Sequence, residues 1–155
     1  MTVNVGRTVS RWVAFLFSDG SAMRELAVNT INGVGLTYSE VELTAFMDAI
    51  KGALPDTPDC AIDIAGPFDT IANGAHAVLS AANGVATPRS LDVQVGIRHD
   101  WEVGEPQFGA TATATSGFIV TDYKFDPSAG TYTAKFRMIP GSTAPAWGTA
   151  AETVS

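Results

Sequence analysis

Chemistry in this chain would have to come from few side chains. There are two histidines, His76 and His99, and one cysteine, Cys60. Neither histidine stands in a metal-ligand spacing such as H-x-x-x-H. A single cysteine allows no intrachain disulfide and no cysteine-based zinc site. Asp63 and Asp69 near Cys60 would complete a Cys–His–Asp nucleophile arrangement on paper. Cys60, however, opens an alternating segment, where a lone cysteine behaves as a small buried hydrophobe. Asp56, Asp59 and Asp63 offer carboxylates for calcium without the loop spacing or the glycine that such a site needs. Gly33-Val34-Gly35 suggests a phosphate loop, but the third glycine and the Lys-Ser/Thr ending are missing. Glu40 and Glu42 stand two apart, and on a helix such residues do not face each other. Arg89 and Arg98 flank a strand and read as solvated or interface-paired, and no aromatics interleave with the basic residues to make a base-stacking platform. The sequence therefore predicts no enzyme, no cofactor and no metal.

Composition points elsewhere. The chain has 155 residues, 46% hydrophobic and only 16% charged. One domain of this length can bury a substantial core. So few charges leave much surface neutral, as in proteins that assemble through broad contacts. The net charge is −7, and residues 25–155 hold six of the nine basic and fifteen of the sixteen acidic residues. An acidic body of this kind does not grip nucleic acid through phosphates. No apolar run reaches the length of a membrane span. Trp12 to Phe17 is too short for a signal h-region and no A-x-A site follows it, so export by the general secretory route is not expected.

The elements follow from periodicity. Residues 1–11 read as an N-terminal arm, residues 12–139 as a β-rich core with one helix, and residues 140–155 as an extended C-terminal arm, all in a single domain. The helix is placed at 37–54: Thr37 and Glu40 have capping-box spacing, and Leu36 and Val41 match a hydrophobic staple. Leu43, Phe46, Met47, Ile50 and Leu54 make an apolar stripe, and Pro55 stops it. Trp12 to Phe17 and Cys60 to Ile64 read as strands, Arg24 to Ile31 as a strand with a helix over Met23 to Val28 as the alternative, and Ala75 to Ala81 as a short strand of ambiguous pattern. Ser90 to Ile97 is the clearest half-buried strand, with Leu91, Val93, Val95 and Ile97 on its apolar face. Arg98 to Pro106 is an exposed excursion, and Phe108 to Ser116 a flat strand of alternating Thr and Ala. Phe118 to Phe125 and Tyr132 to Met138, joined by Asp126-Pro127-Ser128-Ala129-Gly130, form a hairpin.

What remains is an assembly signature. A low-charge edge strand invites pairing with another subunit, and arms with aromatic anchors grip neighbours. The expected subunit-interface residues are Trp12, Thr111, Thr113, Thr115 and Trp147.

Four stretches carry a resemblance: VGLTYSEVELTAFMDAIKGALPDTPD (34–59), IDIAGPFDT (62–70), TPRSLDVQVGIRHDWEVGEPQFG (87–109), and SGFIVTDYKFD with YTAKFRMIPGSTAPAWGT (116–149). In order and texture they resemble the major tail (tail tube) proteins of long-tailed bacteriophages. The resemblance implies a mainly β (α+β) sandwich or barrel-like fold with a flanking helix. It also implies six subunits per ring and rings stacked into a tube through which the genome passes without specific binding. Neighbouring hairpins would join into one inner barrel, with its wall from the strands around Leu91–Ile97 and Phe118–Met138, and loops and arms would tie successive rings. The wall would be acidic, as in the family. The implied partners are further copies of the chain, a tape measure protein and a terminator. The implied location is the virion, after assembly in the host cytoplasm. Two other readings stand beside it: a capsid decoration, neck or tail-terminator protein, and a carbohydrate- or receptor-binding β-sandwich using Trp101, Tyr123 and Trp147.

Overall fold

A computed structural model describes residues 13–45, 49–95 and 106–149. Eleven strands and one helix follow in the order β1 (Val13–Ser18), β2 (Met23–Leu26), β3 (Thr30–Asn32), β4 (Thr37–Glu42), β5 (Ala53–Asp59), β6 (Ala61–Pro67), α1 (Ala75–Ala82), β7 (Leu91–Val95), β8 (Pro106–Ala110), β9 (Phe118–Asp126), β10 (Thr131–Met138) and β11 (Ala146–Thr149). They make a five-stranded sheet in the order β11-β8-β7-β1-β2, a four-stranded sheet in the order β3-β6-β10-β9, and a separate ribbon of β4 and β5. All strand pairs are antiparallel.

The core lies between the two sheets. Alternation in β6 turns Ile62 and Ile64 inward, and alternation in β10 does the same for Tyr132, Ala134 and Phe136. From the other sheet, Phe15, Phe17, Leu91, Val93 and Phe108 meet them. Phe136 sits at the centre, its ring centroid 5.2 Å from that of Phe15 and 4.9 Å from that of Phe17. Tilted and edge-on aromatic pairs of this kind add about 0.5–1.5 kcal/mol each beyond their burial. Tyr132 is fully buried, and its hydroxyl donates to the carbonyl of Ala27 at 2.6 Å, which ties the β2–β3 connection to the core. The β9–β10 hairpin matches the sequence expectation, and its register shifts between Lys135 and Phe136, where Thr121 of β9 is left without an opposite residue.

The helix is elsewhere than expected. Residues 37–42 and 53–59 form the ribbon, and the segment 37–54 is not helical where described. Its stripe was real in spacing, but Gly52, Pro55 and Pro58 break helical continuation, and Tyr38 and Val41 suit a strand. Phe46 and Met47 lie outside the described residues. The helix of this fold is α1, placed where a short strand was expected. Four of its eight residues are alanine, the strongest helix former. Ala75, Val78, Leu79 and Ala82 are the buried ones, at helical spacing i, i+3, i+4, i+7. The helix packs on β9 and β2, the edge strands of the two sheets, and closes that side of the sandwich.

Two further expectations change. The Thr/Ala strand at Phe108–Ser116 ends at Ala110. Thr111, Thr113 and Thr115 stand exposed in a loop, where the Thr113 amide donates to the Ser116 carbonyl at 2.8 Å and closes a turn. With no large apolar side chain to bury, the alternation had nothing to hold it on a sheet. In the other direction, Ala146–Thr149 pairs with β8 as an edge strand, so this part of the C-terminal segment belongs to the five-stranded sheet. β7 also departs from simple half-burial: Asp92 and Gln94 are buried as well as Leu91 and Val93.

Candidate assembly surfaces

Several residues singled out for chemistry have a structural occupation. Cys60 is buried, and burial, with Asp59 beside it, raises its thiol pKa to about 11. Such a thiol is not a nucleophile near neutral pH. Asp63 is held by Arg137, with Nη1 to Oδ1 at 3.0 Å. Asp56 and Asp59 lie exposed on β5, away from any shared cage. Among the described residues no three His, Cys, Asp or Glu side chains gather to hold a metal. His76 meets Tyr123, with Nδ1 2.9 Å from the hydroxyl, under a ring contact from Phe68. Gly33 has φ of +84°, and a Cβ there would collide with the carbonyl oxygen of Ala61. It is a glycine because the turn presses on β6, not because it cradles a phosphate. Arg89 donates from Nη1 to the carbonyl of Ser18 at 3.3 Å. His99, Arg98 and Trp101 lie outside the described residues.

Of the expected interface residues, Trp12 lies outside the described residues. Trp147 is on β11, 57% exposed, with its ring 5.1 Å from Phe108. Tyr123 is tied to His76 on the four-stranded sheet, so it is no free aromatic platform beside Trp147.

Three surfaces are left without partners among the described residues. The first is the β4–β5 ribbon. Val41 and Leu54 are opposite each other, and the Leu43 amide bonds to the Gly52 carbonyl one step beyond. Strand alternation puts Val41, Leu43 and Leu54 on one face. Glu40, Glu42, Lys51 and Ala53 line the other. A two-faced ribbon that buries neither face is marginal in isolation. Yet Leu43, Leu54 and Ile50 are 57%, 56% and 82% exposed.

The second surface is the four-stranded sheet, whose edges β3 and β9 have no further strand. Its inward face is core. Its outward face carries Thr133 and Lys135, both exposed, with Arg137 paired to Asp63 and Lys124 3.8 Å from Asp122. The third surface is the side of the sandwich opposite α1, between the edges β11 and β3. An open groove of about 560 Å³ lies there, lined by Val13, Val28, Ile31, Val34, Val95 and Trp147.

Nothing in the periodicity pointed to the ribbon as a projecting element, although the two prolines of β5 were a signal against a helix there. No protein-family model and no curated protein matches the sequence. Solved structures do match its fold. One is a chain of the sheath–tube complex of an extracellular contractile injection system (PVC) in the extended state, with TM-score 0.61 and 8% identity over 92% of both chains. Another comes from the anti-feeding prophage cap, the tube-terminating cap, with TM-score 0.61 and 11% identity over 97% of both chains. A third is from the anti-feeding prophage baseplate in a six-fold symmetrised structure, with TM-score 0.56 and 11% identity over 87% of this chain and 89% of the other. The chain thus has the tube-like fold of phage-tail-like injection assemblies.

Proposed function

We propose that this chain is a structural, non-enzymatic subunit that self-assembles into rings, six copies to a ring, stacked as the tube of a phage tail or phage-like injection device. The observation that carries the proposal is the four-stranded sheet, whose edges β3 and β9 have no further strand among the described residues, although Phe118 and Val120 at the start of β9 already bond to Arg89 and Gly84. One face is core and the other carries threonine and alanine, the ion pairs Arg137–Asp63 and Lys124–Asp122, and an exposed Lys135. An open sheet edge extends by pairing with a copy of itself. A heterologous contact of β9 on one copy with β3 on the next closes into a ring when the rotation per copy divides a full turn. The outward face then becomes a wall on which Asp63 and Asp122 offset Arg137 and Lys124. The passing cargo, the genome in the phage reading, would meet no unpaired basic stripe on that sheet. Tape measure and terminator proteins are the expected partners at the ends, and a phage-tail-like particle is the expected location.

A second reading is favoured by one observation: the fold match to the tube-terminating cap equals the match to the sheath–tube complex. A cap subunit forms a ring that does not propagate. Light scattering behind size exclusion, run over a range of loading concentrations, separates the two. A tube subunit passes from small species to very large ones above a threshold concentration. A cap stops at a single ring mass, and a protein that stays monomeric throughout contradicts both.

A further inference from the structure

The five-stranded sheet buries its outer face as well as its inner one. Phe15 and Phe17 point from β1 into the core, so alternation turns Ala14 and Leu16 to the other side of the sheet. There Leu16 stands opposite Glu25 and Asp92, and Ala14 opposite Gln94, which in turn faces Gln107. Leu16 and Gln94 are fully buried, and Ala14 and Asp92 are only 3% and 7% exposed. Gln94 donates from Nε2 to Gln107 Oε1 at 2.7 Å, while its own Oε1 is buried with no hydrogen-bond partner. Among the described residues, α1 belongs to the core between the sheets and the β4–β5 ribbon is a separate sheet. The described strands and helix thus leave the cover of this face unassigned. We propose that residues 1–12 fold back as a strap across the outer face of the five-stranded sheet of their own domain. The proposal concerns a single copy and holds whether or not the chain forms rings.

Three observations select this occupant. The first is reach. The segment runs directly into β1, which lies inside the sheet between β7 and β2, so it starts at the face it is to cover. Eleven extended residues reach roughly 36 Å, whereas the four strand spacings from β2 to β11 span roughly 19 Å. The second is pattern. Val3, Val5, Arg7, Val9 and Arg11 alternate with Thr2, Asn4, Gly6, Thr8 and Ser10. An extended segment of this sequence carries its valines and both arginines on one side. That side complements a face on which Ala14 and Leu16 are apolar and Glu25 and Asp92 are acidic. The third is charge. Residues 1–12 hold Arg7 and Arg11 and no acidic residue, whereas the segments 96–105 and 150–155 each hold more acidic than basic residues. A guanidinium or a backbone N–H of the strap supplies the donor that the Gln94 carbonyl oxygen lacks. By the alternation of β1, Trp12 falls on the same face as Ala14 and Leu16. Expected at a subunit interface, it then serves the fold-back of its own chain.

Trypsin digestion of the full-length chain below its assembly threshold tests the proposal, with early products read by mass spectrometry. Arg7 and Arg11 are the cleavage sites of the segment, and Lys51, exposed between β4 and β5, is the reference for an open site. The expected result is cleavage after Arg7 and Arg11 at least about tenfold slower than after Lys51, because a docked segment is cut only when it opens. Val3→Asp and Val5→Asp placed together should bring these rates to within about twofold of the Lys51 rate, with an unchanged circular dichroism spectrum. Val5→Ser alone should move them in the same direction and serves if the double variant loses structure. Cleavage after Arg7 and Arg11 as fast as after Lys51 overturns the inference, since the segment is then a free arm. Protection that appears only above the assembly threshold overturns it too, since a neighbouring copy is then the cover. Protection that survives the valine substitutions shows that the valine side is not the contact and also overturns it. A chain that never associates contradicts the tube reading and leaves this test as it stands.

Discussion

Val41 and Leu54 face each other across the β4–β5 ribbon, and both stand in solvent, 41% and 56% exposed. A cross-strand aliphatic pair helps to hold a ribbon together, but neither residue belongs to the core between the sheets. The relationship separates what stabilises the domain from what joins domains, and the predictions follow that division.

Replacing both Val41 and Leu43 with Asp should leave the isolated domain intact. Exposed substitutions of this kind change stability by about 0.5 kcal/mol, so the melting temperature should move by only a few degrees. Sedimentation should show the loss of species larger than a ring. A marked loss of stability would show that the ribbon packs on its own sandwich.

Phe136 is the opposite case. It is fully buried against Phe15 and Phe17. Phe136→Ala should cost about 3–5 kcal/mol, the range for deleting a core aromatic. Urea titration of the variant at a concentration below the assembly threshold reads this directly.

Trp147 joins the two regimes, since its ring covers Phe108 and also lines the open groove. Trp147→Ala should destabilise the monomer by about 1 kcal/mol through the lost aromatic pair, and should weaken stacking as well. Removing residues 140–155 should do the same more strongly, because it removes β11 from the sheet. Circular dichroism and sedimentation on the same samples separate the two effects.

Acid should weaken the β1–β2 turn through Asp19. The Asp19 pKa is lowered to about 2 by the Ala22 amide, the Arg24 guanidinium and the Ser21 amide. The folded pKa lies below the ordinary carboxylate value, so this contribution is present at neutral pH. It is lost as pH falls from about 4 towards about 2. Asp19→Asn should flatten the stability–pH curve in that window and lower its neutral plateau.

Thr111, Thr113 and Thr115 are exposed in a loop, so their replacement by Lys should leave the circular dichroism spectrum unchanged. If this loop touches a neighbour, the added charges abolish assembly. Normal assembly of the triple variant would remove it from the interface.

The strands with large alternating side chains were readable in the sequence: β1, β6, β7 and the β9–β10 hairpin follow their apolar residues. The helix was misplaced for a physical reason. Leu43, Ile50 and Leu54 show helical spacing, and in α1 small alanines blur the contrast between buried and exposed positions. Spacing marks where apolar residues recur, whereas Pro55 and Pro58 on one segment and the alanines of the other decide which backbone forms. Among the surfaces, Trp147 was legible as a large aromatic in a small-residue segment. The groove was not, because its walls come from β1, β3, β7 and β11, which are distant in sequence and meet only in the fold.

Electron microscopy of the purified full-length chain above its assembly threshold tests the central claim most directly. The account predicts tubes of uniform bore, with six-fold symmetry in end-on views. A field of isolated monomers at every concentration would contradict it.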